Sequence, residues 1–131
     1  GTEPATDLVA SLREVAVRHE ALSGTRVAVV CPDDLGHLGA ELIGAMRGAV
    51  TEALNNAAKH GRAANVTVFV ERAGDGVFVS VKDDGVGFAT GDTDDGVGLA
   101  RSIRARMREI GGRVEVESTP GSGAEVRLWS R

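Results

Sequence analysis

Aromatic residues are scarce in this 131-residue chain: three phenylalanines, one tryptophan and no tyrosine. An apolar content of 42% suffices for one core but not for two, so one domain is expected. Cysteine is scarcer still. Cys31 stands alone, so no internal disulfide can form, and a reducing, cytosolic setting is the expectation. No apolar run approaches the ~20 residues that span a bilayer, and nothing at the start resembles a signal peptide, so this domain is expected to make no membrane contact. Positive charge is in deficit. Lys and Arg total 15 against 19 Asp and Glu, a net charge of -4, which argues against nucleic acid as a partner. Glycine is abundant instead, at 18 residues, and points to backbone that turns tightly or approaches a ligand.

The opening GTEPAT is small and polar and reads, with Asp7, as a linker or boundary remnant; residues 8–131 form one domain. Helical spacing of Leu8, Leu12, Val15 and Leu22 predicts a first helix over 7–22, closed by Ser23-Gly24. A strand follows over 27–31, stopped by Pro32. A long helix over 38–60 carries an apolar stripe of Leu42, Met46, Ala49, Val50, Ala53 and Ala57. Strands over 66–70 and 77–81 flank the turn Ala73-Gly74-Asp75-Gly76. A polar loop over 88–95 leads to a helix over 97–110, ended by Gly111-Gly112. Strands over 113–117 and 124–129 surround the turn 119–123. The expected class is α+β: a mixed, mostly antiparallel sheet covered on one face by helices.

Three clusters stand out. On the long helix, Glu52, Asn56 and Lys59 fall within an arc of about 60° at the edge of the apolar stripe, taking about 100° per residue. They point to one place at the border of core and solvent. Next, a strand runs out into Asp83-Asp84-Gly85-Val86-Gly87, which by itself is an ordinary tight turn. Last, Asp95-Gly96-Val97-Gly98-Leu99 opens a helix, where backbone N–H groups favour an anion. Arg101 stands where a dinucleotide fingerprint needs glycine, and no Gly-Lys-Ser/Thr makes a P-loop. Calcium is excluded for the 92–96 loop, since its twelfth position is Ile103 rather than glutamate.

Taken together and in order, Glu52-x-x-x-Asn56, Asp83-x-Gly85-x-Gly87, Gly96-x-Gly98-Leu99 and Gly121-x-Gly123 resemble the GHKL ATP-binding superfamily. Within it the chain resembles the catalytic domain of bacterial sensor histidine kinases, in the branch working with NarL/LuxR-type response regulators. Glu52-Ala-Leu-Asn-Asn56-Ala-Ala-Lys-His60 and the run from Ile110 to Gly123 carry that resemblance. It implies the two-layer Bergerat fold and binding of ATP with Mg2+. It further implies transfer of the γ-phosphoryl group to a histidine on separate dimerisation helices of a parent chain, with a response regulator downstream. A membrane-anchored parent is compatible with it.

The resemblance also assigns roles. Asn56 supplies the magnesium ligand, a carboxamide oxygen suited to a hard cation. Glu52, one turn earlier, accepts a proton from the nucleophile or orients it. Lys59 and His60 offer charge or a hydrogen bond to phosphate. Asp83 reads the adenine amine, while Gly85 and Gly87 let the backbone pass close to the base. Residues 88–95 form a short lid, and Gly96, Val97, Gly98 and Leu99 cradle phosphates. Asp84 is assigned no role. One departure bears on affinity: where the family has a threonine supporting the adenine aspartate, this chain has Ala124. The rival readings are an anti-sigma-factor serine kinase of the same superfamily and a non-catalytic nucleotide- or partner-binding module. His19, His37, Cys31 and Trp129 read as structural, and Arg101, Arg104 and Arg108 as a solvated helix face.

Overall fold

Asp7 opens the first helix. Its Oδ1 accepts the Ala10 N–H at 3.0 Å, which makes it the N-cap of α1 (Leu8–Ser23) rather than part of a linker. Gly24, at φ +78°, closes the helix by donating its N–H to the Glu20 carbonyl. The remaining elements are β1 (Arg26–Val30), α2 (Ala40–Lys59), β2 (Asn65–Ala73), β3 (Gly76–Asp83), α3 (Asp94–Arg108), β4 (Arg113–Ser118) and β5 (Ala124–Trp129). The computed structural model describes residues 7–59, 62–86 and 94–130, with 94–100 as helical backbone.

The sheet order is β1-β2-β3-β5-β4. Only β1 and β2 run parallel; the other neighbours are antiparallel, as expected for a mixed sheet. Hairpin β2–β3 turns on Gly74-Asp75, with Gly74 at φ +61°. β4 lies at the edge because β5 returns to pair with β3. The class inferred from the sequence is thus the observed one, with α1, α2 and α3 packed on the same face of the sheet.

Inward positions alternate along the strands: Val66, Val68 and Val70 on β2, then Val77, Val79 and Val81 on β3 and Val126 and Leu128 on β5. They meet the α2 stripe, where Ile43 and Leu54 join the expected Met46, Ala49, Val50, Ala53 and Ala57. Leu42 is only partly buried. On α1, Leu22 departs from expectation. It is 82% exposed, because the helix end overhangs a groove beside α2 instead of facing the sheet. The described aromatics all lie on the outer face, so the core is aliphatic. Phe78 and Trp129 sit 5.1 Å apart, and the Arg113 guanidinium stacks 4.2 Å from the Trp129 ring.

Boundaries shift by a few residues. The first strand ends at Val30, leaving Cys31 in the following loop. Helix α2 starts at Ala40, not Leu38. Helix α3 starts at Asp94 and ends at Arg108, so Asp94 and Asp95, expected in the loop, belong to it.

Candidate nucleotide site

The alternation that buries the β3 valines turns Asp83 to the same side, where it is 9% exposed. Its Oδ1 accepts the N–H groups of Gly85 at 2.8 Å and Ala124 at 3.3 Å. Among the described residues Oδ2 takes no partner. One oxygen is therefore held by backbone and the other left for a ligand. Gly123 presses against this point at φ +81°. A Cβ there would overlap the Asp83 carbonyl oxygen and come 3.3 Å from Oδ1. The Gly121 N–H donates to the Val86 carbonyl, laying the β4–β5 turn along the exit of β3. Ala124 supports Asp83 through a backbone N–H that any residue but proline keeps, and its methyl group adds no side-chain hydrogen bond.

On α2, Glu52 and Asn56 are half-buried and Lys59 is exposed in the last turn. They flank the apolar stripe as the helical period requires. Glu52 is not free. Its Oε1 accepts from Ser102 Oγ at 2.9 Å and from Arg106 Nε at 2.7 Å, both on α3. Sequence reasoning missed both donors. Arg101, Arg104 and Arg108 share one face of α3, and Arg106 was passed over because it lies off that face. The available signal was two i,i+4 pairs, Gly48–Glu52 and Ser102–Arg106.

No group of three or more His, Cys, Asp or Glu among the described residues could cage a metal ion. A lone carboxamide, Asn56, one turn from Glu52 suits instead a magnesium ion that keeps water and phosphate as its main ligands. The early start of α3 corrects the expected phosphate cradle: because the helix begins at Asp94, Gly96 still lies among the first N–H groups that a helix leaves unpaired and that favour an anion, whereas the N–H groups of Val97, Gly98 and Leu99 fall within the helical ladder. His60, Gly87 and the lid residues 88–93 lie outside the described residues.

Asp84, assigned no role above, is a staple. Its Oδ1 accepts the N–H groups of Ala64 and Asn65, each at 2.9 Å, and its Oδ2 accepts Asn65 Nδ2 at 2.8 Å. The Asn65 hydrogen bonds hold the Asp84 carboxyl below its usual range. The staple fixes the strand exit that carries Asp83.

His19 is buried at 8% exposure, and its Nε2 has no hydrogen-bond partner among the described residues. Burial lowers its pKa, so the native state holds it neutral. The unfolded chain takes up this proton first as pH falls below about 6.5, so stability is full above that value and declines below it. We expect wild type to lose up to ~1.4 kcal/mol per pH unit through His19 on acidification from pH 6.5. Urea titrations at pH 7 and 5 should show a smaller loss for His19→Leu, and equal losses would acquit this residue.

The family described as histidine kinase-, DNA gyrase B-, and HSP90-like ATPases matches residues 43–131, which include most of α2, the strand exit at Asp83 and the glycine turn. The chain belongs to this family. This ATPase domain is of the histidine kinase type. It is 31% identical over 130 residues to an uncharacterized sensor-like histidine kinase of Chloroflexus aurantiacus, a match covering 93% of this chain and 22% of that protein. The ATP binding domain of PrrB from Mycobacterium tuberculosis superimposes with a TM-score of 0.70 at 26% identity, over 95% of this chain and 92% of that one. Full-length ShkA, solved in complex with AMPPNP, does so with a TM-score of 0.74 at 27% identity. That match covers 94% of this domain and 29% of ShkA. The ATPase domain thus spans about a fifth of the C. aurantiacus relative.

Proposed function

We propose that this ATPase domain binds Mg-ATP and passes the γ-phosphoryl group to a histidine on separate dimerisation helices of a parent chain. The parent then serves a two-component pathway, with a response regulator of the NarL/LuxR type. The arrangement of Asp83 carries the reading. Its Oδ1 is occupied by two backbone donors, so Oδ2 accepts from a ligand amine, as adenine presents and guanine does not at that edge.

The start of α3, at Gly96, receives phosphate, and Lys59 and His60 offer charge or a hydrogen bond there. Asn56 would hold magnesium, which neutralises charge on the phosphate oxygens. The acceptor imidazole nitrogen bonds to the γ-phosphorus as the bond to the leaving ADP oxygen breaks. Glu52 takes or orients the imidazole proton.

Titration of the chain with ATP and with GTP, each with magnesium, tests the site. Binding of ATP but not GTP is expected. Transfer from radiolabelled ATP to the acceptor helices should then give an acid-labile label, as phosphohistidine does. An acid-stable phosphoserine on a separate protein would replace this reading with the serine-kinase one. No ATP binding at millimolar concentration would leave a partner-binding module.

A further inference from the structure

The carboxylate that would handle the proton is gripped by the helix whose start would receive the phosphates. Ser102 and Arg106 follow Gly98 at intervals of four, about one helical turn each. Both donate to Glu52 Oε1, and among the described residues Oε2 has no partner. Oε1 is thereby fixed and Oε2 is the oxygen available for chemistry. Gly48 completes the arrangement one turn before Glu52. A Cβ there would stand 2.8 Å from Arg106 Nη1 and 3.2 Å from its Cδ and Cζ. Glycine is costly inside a helix, yet here it makes the seat for a guanidinium. The Arg106 side chain is 48% exposed, a setting in which an ion pair contributes little to stability.

We propose that Arg106 is a positioning residue for Glu52, seated by Gly48 and assisted by Ser102. The proposal rests on the catalytic reading of Glu52. Arg106 itself touches neither nucleotide nor acceptor; it acts by presenting Oε2.

The test is a double-mutant cycle in the kinase chain that carries this domain with its acceptor histidine. Arg106→Met should lower kcat for phosphoryl transfer by about 10- to 100-fold, the scale of a misplaced catalytic group. The KM for ATP should stay within about twofold. Glu52→Gln combined with Arg106→Met should be no slower than Glu52→Gln alone, because the arginine acts only through the glutamate. Gly48→Ala offers a second, independent variant. It retains Arg106 and improves helix propensity, so its melting temperature should hold or rise while kcat falls. A stability role alone would move both in the same direction. An unchanged kcat in Arg106→Met, or losses that multiply in the double variant, overturns the proposal. If Glu52→Gln itself transfers phosphate at the wild-type rate, the catalytic reading of Glu52 falls and takes the proposal with it. Loss of ATP binding by wild type would instead strike the nucleotide site as a whole.

Discussion

Asp83→Asn should abolish ATP recognition and leave the fold standing. The substituted amide keeps one oxygen, which can go on accepting from the Gly85 and Ala124 N–H groups that now hold Oδ1. Its NH2 then replaces Oδ2, so a donor meets the donor amine of adenine. An unmatched polar contact of this kind costs about 3 kcal/mol, or more than about 100-fold in Kd. The neutral acceptor is weaker than the carboxylate, so a fall of a few degrees in melting temperature accompanies the loss. Calorimetric titration with Mg-ATP and a thermal melt on the same sample separate the two effects. A Kd close to wild type would mean that Asp83 is a structural acceptor only.

Gly123→Ala should be the most damaging small substitution near the site. At φ +81° an L side chain costs about 1–2 kcal/mol. The added Cβ also meets the backbone carbonyl of Asp83, which cannot rotate away as a side chain would. Relief requires β5 to move off β3 or the glycine turn to lift from Val86. We expect a total loss of about 3 kcal/mol and a melting temperature lower by roughly 10 °C, with ATP affinity falling as Asp83 shifts. Gly121→Ala is the matched control. Its φ is +82°, but a Cβ there meets nothing within 4 Å, so only the backbone strain of about 1–2 kcal/mol applies. Equal destabilisation of the two variants would show that contact with Asp83 contributes nothing.

Much of the fold was legible because its signals are local. The α2 stripe follows from a 3.6-residue period, and the β2 and β3 valines from a period of two. The Gly74-Asp75 turn needs a left-handed residue and has a glycine to supply it. Leu22 misled because periodicity records which residues share a face, not whether anything covers that face. Asp84 looked dispensable because its value comes from strand register. Asp83 pairs with Val66, which brings the next residue beside Asn65.

The candidate site divides in the same way. Spacing along one helix set Glu52, Asn56 and Lys59 on one edge, and the order of the glycine clusters matched a known family, so their grouping is a property of the sequence itself. Which oxygen of Asp83 stays open depends on Ala124, 41 residues away, and what grips Glu52 comes from Ser102 and Arg106, 50 and 54 residues away. Periodicity describes one element at a time, so contacts between elements are fixed only when the sheet closes and α3 packs against α2. The chain's own pattern thus determined the elements, the apolar faces that build the core and the grouping of the candidate site residues. The tertiary structure decided which of their atoms are already engaged, because hydrogen-bond partners distant in sequence are chosen by packing.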